Sequence, residues 1–142
     1  MENGQSLKLF TLEEANKLIP RLTDLIQGLQ EQREKILALE LEIDAVELIT
    51  EKDQAGNAPT LDLKVEEYTR IVHAFYESVD EIHSYGCFLK DLDLGLVDFY
   101  SLYKGRVVYL CWKLGEPRVS YWHEIGRGYL SRQPIVRGEG SR

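Results

Sequence analysis

From residue 22 onward the apolar positions recur at heptad spacing. Leu22, Leu29, Ile36 and Ile43 stand seven apart, and Leu25, Leu39 and Val46 fall three later, with Gln32 as the one polar member of that second series. This spacing predicts a helix with a coiled-coil-like seam, its outer face carrying charges such as Glu31, Glu34 and Lys35. Upstream, Thr11 and Glu14 read as a capping box with Phe10 as its hydrophobic staple, so the helix is expected to start there and run to about Thr50. Pro20 cannot donate a helical hydrogen bond, which predicts a kink or break near Leu18-Ile19. The polar stretch EKDQAGNAPT, residues 51–60, reads as a mobile linker. A second helix is expected from about Asp62 to Ser84, with Val65, Tyr68, Val72, Phe75, Val79 and Ile82 as its seam and Gly86 just past its end. Two matching seams and a modest loop predict an antiparallel hairpin.

The pattern then changes. Ten of the 14 aromatic residues lie in residues 85–129, helical periodicity ceases, and Gly86, Gly95, Gly105 and Gly115 recur about every ten residues. Short strands separated by turns fit that spacing. The candidates are Cys87–Lys90, Leu96–Phe99, Arg106–Leu114 and Arg118–Glu124, a small antiparallel meander. If Gly115–Arg118 is a hairpin turn, Leu114 faces Val119, Trp112 faces Tyr121, and Cys111 faces Trp122. Cys111 and His123 then point to opposite faces. Both faces carry aromatic side chains and both need cover. The expected fold class is α+β: a long antiparallel helical hairpin followed by a small antiparallel β-meander. Its parts are an N-terminal tail (1–10), the hairpin (11–86), the β-region (87–135) and a disordered tail (136–142), in one folded unit.

Composition supports a soluble globular protein: 44% hydrophobic and 29% charged residues over 142 positions. No apolar run approaches the roughly 20 residues that cross a bilayer, so no membrane association is expected. The N-terminus lacks a basic start followed by an apolar stretch. Two cysteines are too few for a disulfide framework, which points to a reduced, cytoplasmic setting. The net charge of −7 argues against general nucleic-acid binding. It hides an asymmetry, because residues 101–142 hold eight Lys/Arg against three Asp/Glu. A basic end of this kind either pairs with the acidic helices or meets an anion.

The chemistry-bearing residues cluster around the strands. Asp91 and Asp98 precede the hairpin, Glu116 sits at its tip, His123 and Glu124 end it, and Arg127 and Arg132 follow in a glycine-bearing loop. Carboxylate, imidazole and guanidinium groups in proximity support acid–base chemistry or hold an anion. Trp112 and Trp122 complete the candidate surface. A zinc site needs three or four converging ligands, and Cys111 and His123 point to opposite faces unless the register slips by one, so the leading expectation includes neither metal nor cofactor. His73, Glu77 and Glu81 share a stripe of the second helix and read as a solvated face.

FTLEEANKLIPRL, KDLDLGLVDF, VYLCWKLGEPRVSYWHE and GYLSRQPI together resemble the bacterial family known as domain of unknown function 2203, over Phe10 to Ile135. The family's pattern has proline where this chain has Tyr100, and glycine where it has Ser131. The resemblance implies a small soluble bacterial protein and no particular reaction. It implies motif roles for Asp91, Asp98, Cys111, Trp112, Gly115, Glu116, Trp122, His123, Glu124 and Arg132. The leading expectation is a non-enzymatic interaction or regulatory module that pairs as a homodimer through the exposed remainder of its helical seams. A protein partner fits that reading; RNA or an anionic ligand is left open by the basic end. The alternative is a ligand-binding protein or small enzyme that uses Asp98, Glu116, His123 and Arg132 on an anionic small molecule. A third reading has the same carboxylates and His123 bind a divalent metal.

Overall fold

The computed structural model describes residues 7–53 and 58–136. Helix α1, Leu12–Lys17, opens with the expected capping box: the Thr11 hydroxyl accepts from the Glu14 N–H, and the Glu14 carboxylate accepts from the Thr11 N–H. The chain breaks at Leu18 and restarts as α2, Ile19–Asp53. Pro20 thus falls in the first turn of α2, where its missing N–H has no helical partner to lose. Helix α3, Ala58–Ser84, begins four residues before the expected Asp62. Most of the stretch read as linker is therefore helical at its two ends; residues 54–57, and with them the expected mobility, lie outside the described residues, as do the tails at 1–6 and 137–142.

The described residues divide into two compact units, one within residues 27–79 and one combining those up to 26 with those from 80 on. In the first, Lys64 bonds Glu42 at 2.7 Å and the Tyr68 hydroxyl bonds Glu40 at 2.9 Å, so α3 advances as α2 recedes. This is the antiparallel hairpin. Leu29 and Leu39 are buried in its seam, with Ile36, Ile43, Val46, Tyr68, Val72, Phe75 and Val79 half-buried, while Val65 is exposed. The outer face differs from expectation: Leu37, Leu41 and Leu48 project to solvent alongside the charges.

The second unit contains a five-stranded antiparallel meander in sequential order. Its strands are β1 (Phe88–Asp91), β2 (Leu96–Tyr103), β3 (Arg106–Lys113), β4 (Tyr121–His123) and β5 (Gln133–Pro134). Strand β2 runs four residues beyond the expected end, β4 is shorter than expected, and β5 replaces what the sequence suggested was loop. One sheet face holds Val97, Phe99, Ser101, Val108, Leu110, Trp112 and Trp122. It meets the start of the chain: the Phe10 ring packs edge-on against Phe99 at 5.2 Å, the Phe10 N–H donates to the Tyr100 carbonyl, and the Ser101 hydroxyl donates to the Phe10 carbonyl. Leu22, Ile26 and Ile82 are fully buried in the same unit. On the stripe read as solvated, His73 and Glu77 are exposed and Glu81 is partly so, its carboxylate clasped by Arg21 with two bonds of 2.8 and 2.9 Å and by the Tyr85 hydroxyl with a third. Gly86, at φ 95°, ends α3 in the left-handed conformation expected of it.

Candidate functional site

The β3–β4 connection corrects the expected register by one residue. Leu110 pairs with Trp122, Cys111 with Tyr121 and Tyr109 with His123. A tight hairpin would have paired Leu114 with Val119. Instead the Val119 N–H donates to Asn16 on α1 at 2.7 Å, and the Leu114 N–H donates to the Gly95 carbonyl. Glu116 folds back into the loop: one carboxylate oxygen accepts from the Lys113 N–H, and its carbonyl accepts from the Trp112 indole at 2.9 Å. The strands therefore leave and re-enter the ladder one step out of the symmetric register.

A shift of one residue moves every side chain to the other face. Cys111 and His123 consequently lie on the same side, together with Tyr109 and Tyr121, and β2 places Asp98 there as the partner of Cys111. The reason for excluding a shared site falls away. A carboxylate oxygen of Asp98, the Cys111 sulfur and a ring nitrogen of His123 all lie within 4.8 Å of one another. The three residues are 4%, 1% and 2% exposed.

The contacts of His123 assign its tautomer by their acceptors. Nδ1 stands 3.0 Å from the Glu124 carbonyl, which can only accept, so Nδ1 carries a proton. In neutral imidazole Nε2 then offers a lone pair, yet it faces Oδ2 of Asp98 at 3.1 Å, another acceptor. Two acceptors in contact in a dry interior need a cation between them, whether a proton or a metal. Burial pushes the neighbouring Cys111 thiol up to about 12, and the adjacent Asp98 carboxylate pushes in the same direction.

Around this cluster the face is aromatic and basic. Phe88, Tyr100, Tyr109 and His123 form a run of ring contacts across β1 to β4, with Tyr100 stacked on Tyr109 at 4.7 Å. Lys90 lies 4.8 Å over the Tyr109 ring. The segment after β4 turns back over the sheet as a short 3-10 helix, Tyr129–Ser131, and delivers Arg132. The Arg132 guanidinium rests 3.9 Å over Tyr121 and 4.9 Å from Tyr129, and its Nη2 donates to Glu116 at 2.5 Å. Its Nη1 is buried and has no acceptor among the described residues.

Of the residues singled out from sequence, Asp98 and His123 form a buried pair, and Glu116 and Arg132 form a second, partly buried pair. Asp91 serves the β1–β2 turn, its carboxylate accepting from the Leu94 N–H. Trp112 and Trp122 belong to the opposite, core-facing side. Glu124 pairs with Arg106, and Arg127 lies exposed with its N–H on the Glu124 carbonyl. Cys111, a motif residue whose partnership with His123 the expected register argued against, completes the site, as do Tyr109, Tyr121 and Tyr129, which were absent from the candidate surface. Their signal was the alternation along β3 and β4, which becomes readable once the register is known.

The model of a protein family described as an uncharacterized conserved protein matches residues 8–135. No curated protein and no solved structure matches.

Proposed function

The chain belongs to the DUF2203 family of uncharacterized conserved proteins, so we propose its function from its own geometry: it binds a divalent metal, with Asp98, Cys111 and His123 as ligands. The observation that carries this reading is the convergence of three different donor atoms within 4.8 Å in a buried setting. In tetrahedral zinc sites, bond lengths of roughly 2.0–2.3 Å place ligand atoms about 3.2–3.8 Å apart; the His123–Asp98 pair, at 3.1 Å, already stands near that spacing, and all three donor atoms lie within 4.8 Å of one another. The Nδ1–carbonyl bond supports the same reading, since ligating histidines are commonly oriented by a bond from their other nitrogen. A thiolate, an imidazole and a carboxylate together favour zinc over magnesium or calcium, which take oxygen donors. Metal entry displaces the proton between His123 and Asp98 and the proton of the Cys111 thiol.

Calorimetry on chelator-treated protein tests this. The expected outcome is one Zn²⁺ per chain, weaker Mn²⁺ binding, proton release that scales with buffer ionisation enthalpy, and loss of the zinc heat in Cys111→Ser and His123→Ala. Absence of stoichiometric Zn²⁺ uptake by the folded wild type overturns the proposal.

One observation favours a second reading, the self-pairing interaction module. Leu41 and Leu48, seven residues apart on the outer face of α2, are 72% and 66% exposed. Repetition at heptad spacing suits a second copy of the same helix. Sedimentation at micromolar concentration tests it: a dimer that Leu41→Glu with Leu48→Glu dissociates supports self-pairing, and a wild-type monomer rejects it.

A further inference from the structure

We infer that the metal site takes an anionic oxygen ligand, from a phosphate or a carboxylate, and that Arg132 holds that ligand through its second guanidinium nitrogen. The inference rests on the metal reading above and extends it to the class of molecule bound.

Two independent observations lead here. The first is the ligand count. Among the described residues the converging protein donors number three, and zinc with three protein donors keeps a fourth position for water or an exogenous ligand. The second is the orphaned donor. The Arg132 side chain is only 9% exposed, and its Nη1 has no acceptor among the described residues although the group is held by Glu116, Tyr121 and Tyr129. A buried, unpaired N–H of a charged group is costly, so its persistence points to an acceptor that completes it. Its location fits. The guanidinium covers the ring of Tyr121, and Tyr121 is the cross-strand partner of Cys111 and lies two residues from His123 on the same face. The unpaired donor and the three candidate metal ligands therefore share one side of one sheet.

Charge leads to the same chemistry. Zn²⁺ with the Asp98 carboxylate and the Cys111 thiolate is neutral, and Arg132 with Glu116 is neutral. Lys113 extends from the same face to the Tyr129 hydroxyl at 3.5 Å, and Lys90 lies over Tyr109. The loaded face is thus left with an excess of positive charge, which selects an anion over a neutral ligand. The planar fork of Arg132, already using Nη2 on a carboxylate, has its other nitrogen available for an oxygen of the same kind.

Cobalt-substituted protein provides the test, because Co²⁺ reports its ligands through visible absorption. The wild type is loaded with Co²⁺ and titrated separately with inorganic phosphate and with acetate. A saturable change in the d–d bands, with the thiolate-to-cobalt band retained, is the expected result; the arm with the tighter midpoint identifies the anion class. In Arg132→Met the midpoint for that anion rises about tenfold or more, as loss of one charged hydrogen bond implies. Arg132→Lys, which keeps charge but loses the fork, falls between. An unchanged thiolate-to-cobalt band in both variants shows that the metal site is still folded. Should millimolar phosphate and acetate leave the wild-type spectrum unaltered, or should Arg132→Met bind either as well as wild type, the anion inference is overturned while the metal reading stands. Should no thiolate-to-cobalt band form in wild type, both are overturned.

Discussion

Nε2 of His123 stands 3.1 Å from Oδ2 of Asp98, and both side chains are more than nine-tenths buried. With the Glu124 carbonyl fixing a proton on Nδ1, this contact holds only while a cation lies between the two atoms. Asp98→Asn separates the two ways of meeting that demand. The carboxamide supplies its own N–H to the Nε2 lone pair, so the metal-free variant is expected to keep its stability within about 1 kcal/mol. Its Zn²⁺ affinity is expected to fall at least tenfold, the lower bound for perturbing groups that only support a ligand. Asp98→Ala leaves Nε2 without any partner and is expected to cost about 1–3 kcal/mol. Urea unfolding of the two metal-free variants, with zinc titrations in parallel, checks this. Equal destabilisation by both substitutions contradicts the tautomer argument.

Cys87 makes a pH prediction away from that cluster. Its sulfur is fully buried and donates to the Ile82 carbonyl at 3.4 Å, and burial pushes the thiol up to about 12. A thiol in the unfolded chain ionises near 8.5. The folded state prefers the protonated form, so the stability contributed by Cys87 is intact below about pH 8.5 and is lost progressively as pH rises toward 12. The loss is about 1.4 kcal/mol per pH unit in that window. Between pH 8 and pH 10 the wild type is expected to lose about 2 kcal/mol more than Cys87→Ala in urea unfolding. Equal losses exclude this source of alkaline sensitivity.

The helices and the sheet differ in how far they can be read from the chain. The seam of Leu29, Leu39, Tyr68, Val72 and Phe75 is set by local spacing, and the capping box at Thr11 and Glu14 lies within four residues. Such features need no knowledge of the rest of the molecule. The β3–β4 register is set by Asn16, some hundred residues away, taking the Val119 N–H, and by Glu116 bonding Lys113 and Arg132. Nothing between Leu114 and Val119 announces those bonds, and a symmetric turn was the natural reading. Placement of the site depended wholly on that step: it put Trp112 and Trp122 into the core and brought Cys111 to His123. Strand β5 is two residues long, too short for any alternation to show.

Gln32 is the polar member of the α2 seam, and its Oε1 is buried with no donor among the described residues. A polar residue at a seam position lowers stability in exchange for register. Gln32→Leu is expected to raise the unfolding free energy by about 1–2 kcal/mol, seen as a higher denaturant midpoint at unchanged slope. A lower midpoint shows that the amide has a partner worth keeping. The substitution leaves Asp98, Cys111 and His123 untouched, so zinc binding serves as an internal control.

Arg21 and Glu81 tie the start of α2 to the end of α3, and their two parallel bonds hold the Glu81 carboxyl at about 2, with the Tyr85 hydroxyl adding to the effect. The unfolded chain protonates this group near 4.3. A carboxyl held low in the folded state contributes stability that is present above its unfolded value and disappears as pH falls from about 4.3 toward 2. Glu81→Gln removes that contribution at neutral pH and flattens the acid limb. Thermal unfolding between pH 2 and 7 is expected to show the variant melting below wild type at pH 7, with the two curves converging at pH 2. Parallel curves over the whole range exclude the pair as the source of acid sensitivity. Arg21→Met is expected to lower the pH 7 melting temperature about as much as Glu81→Gln does, because both side chains are partly exposed and water solvates the partner left behind.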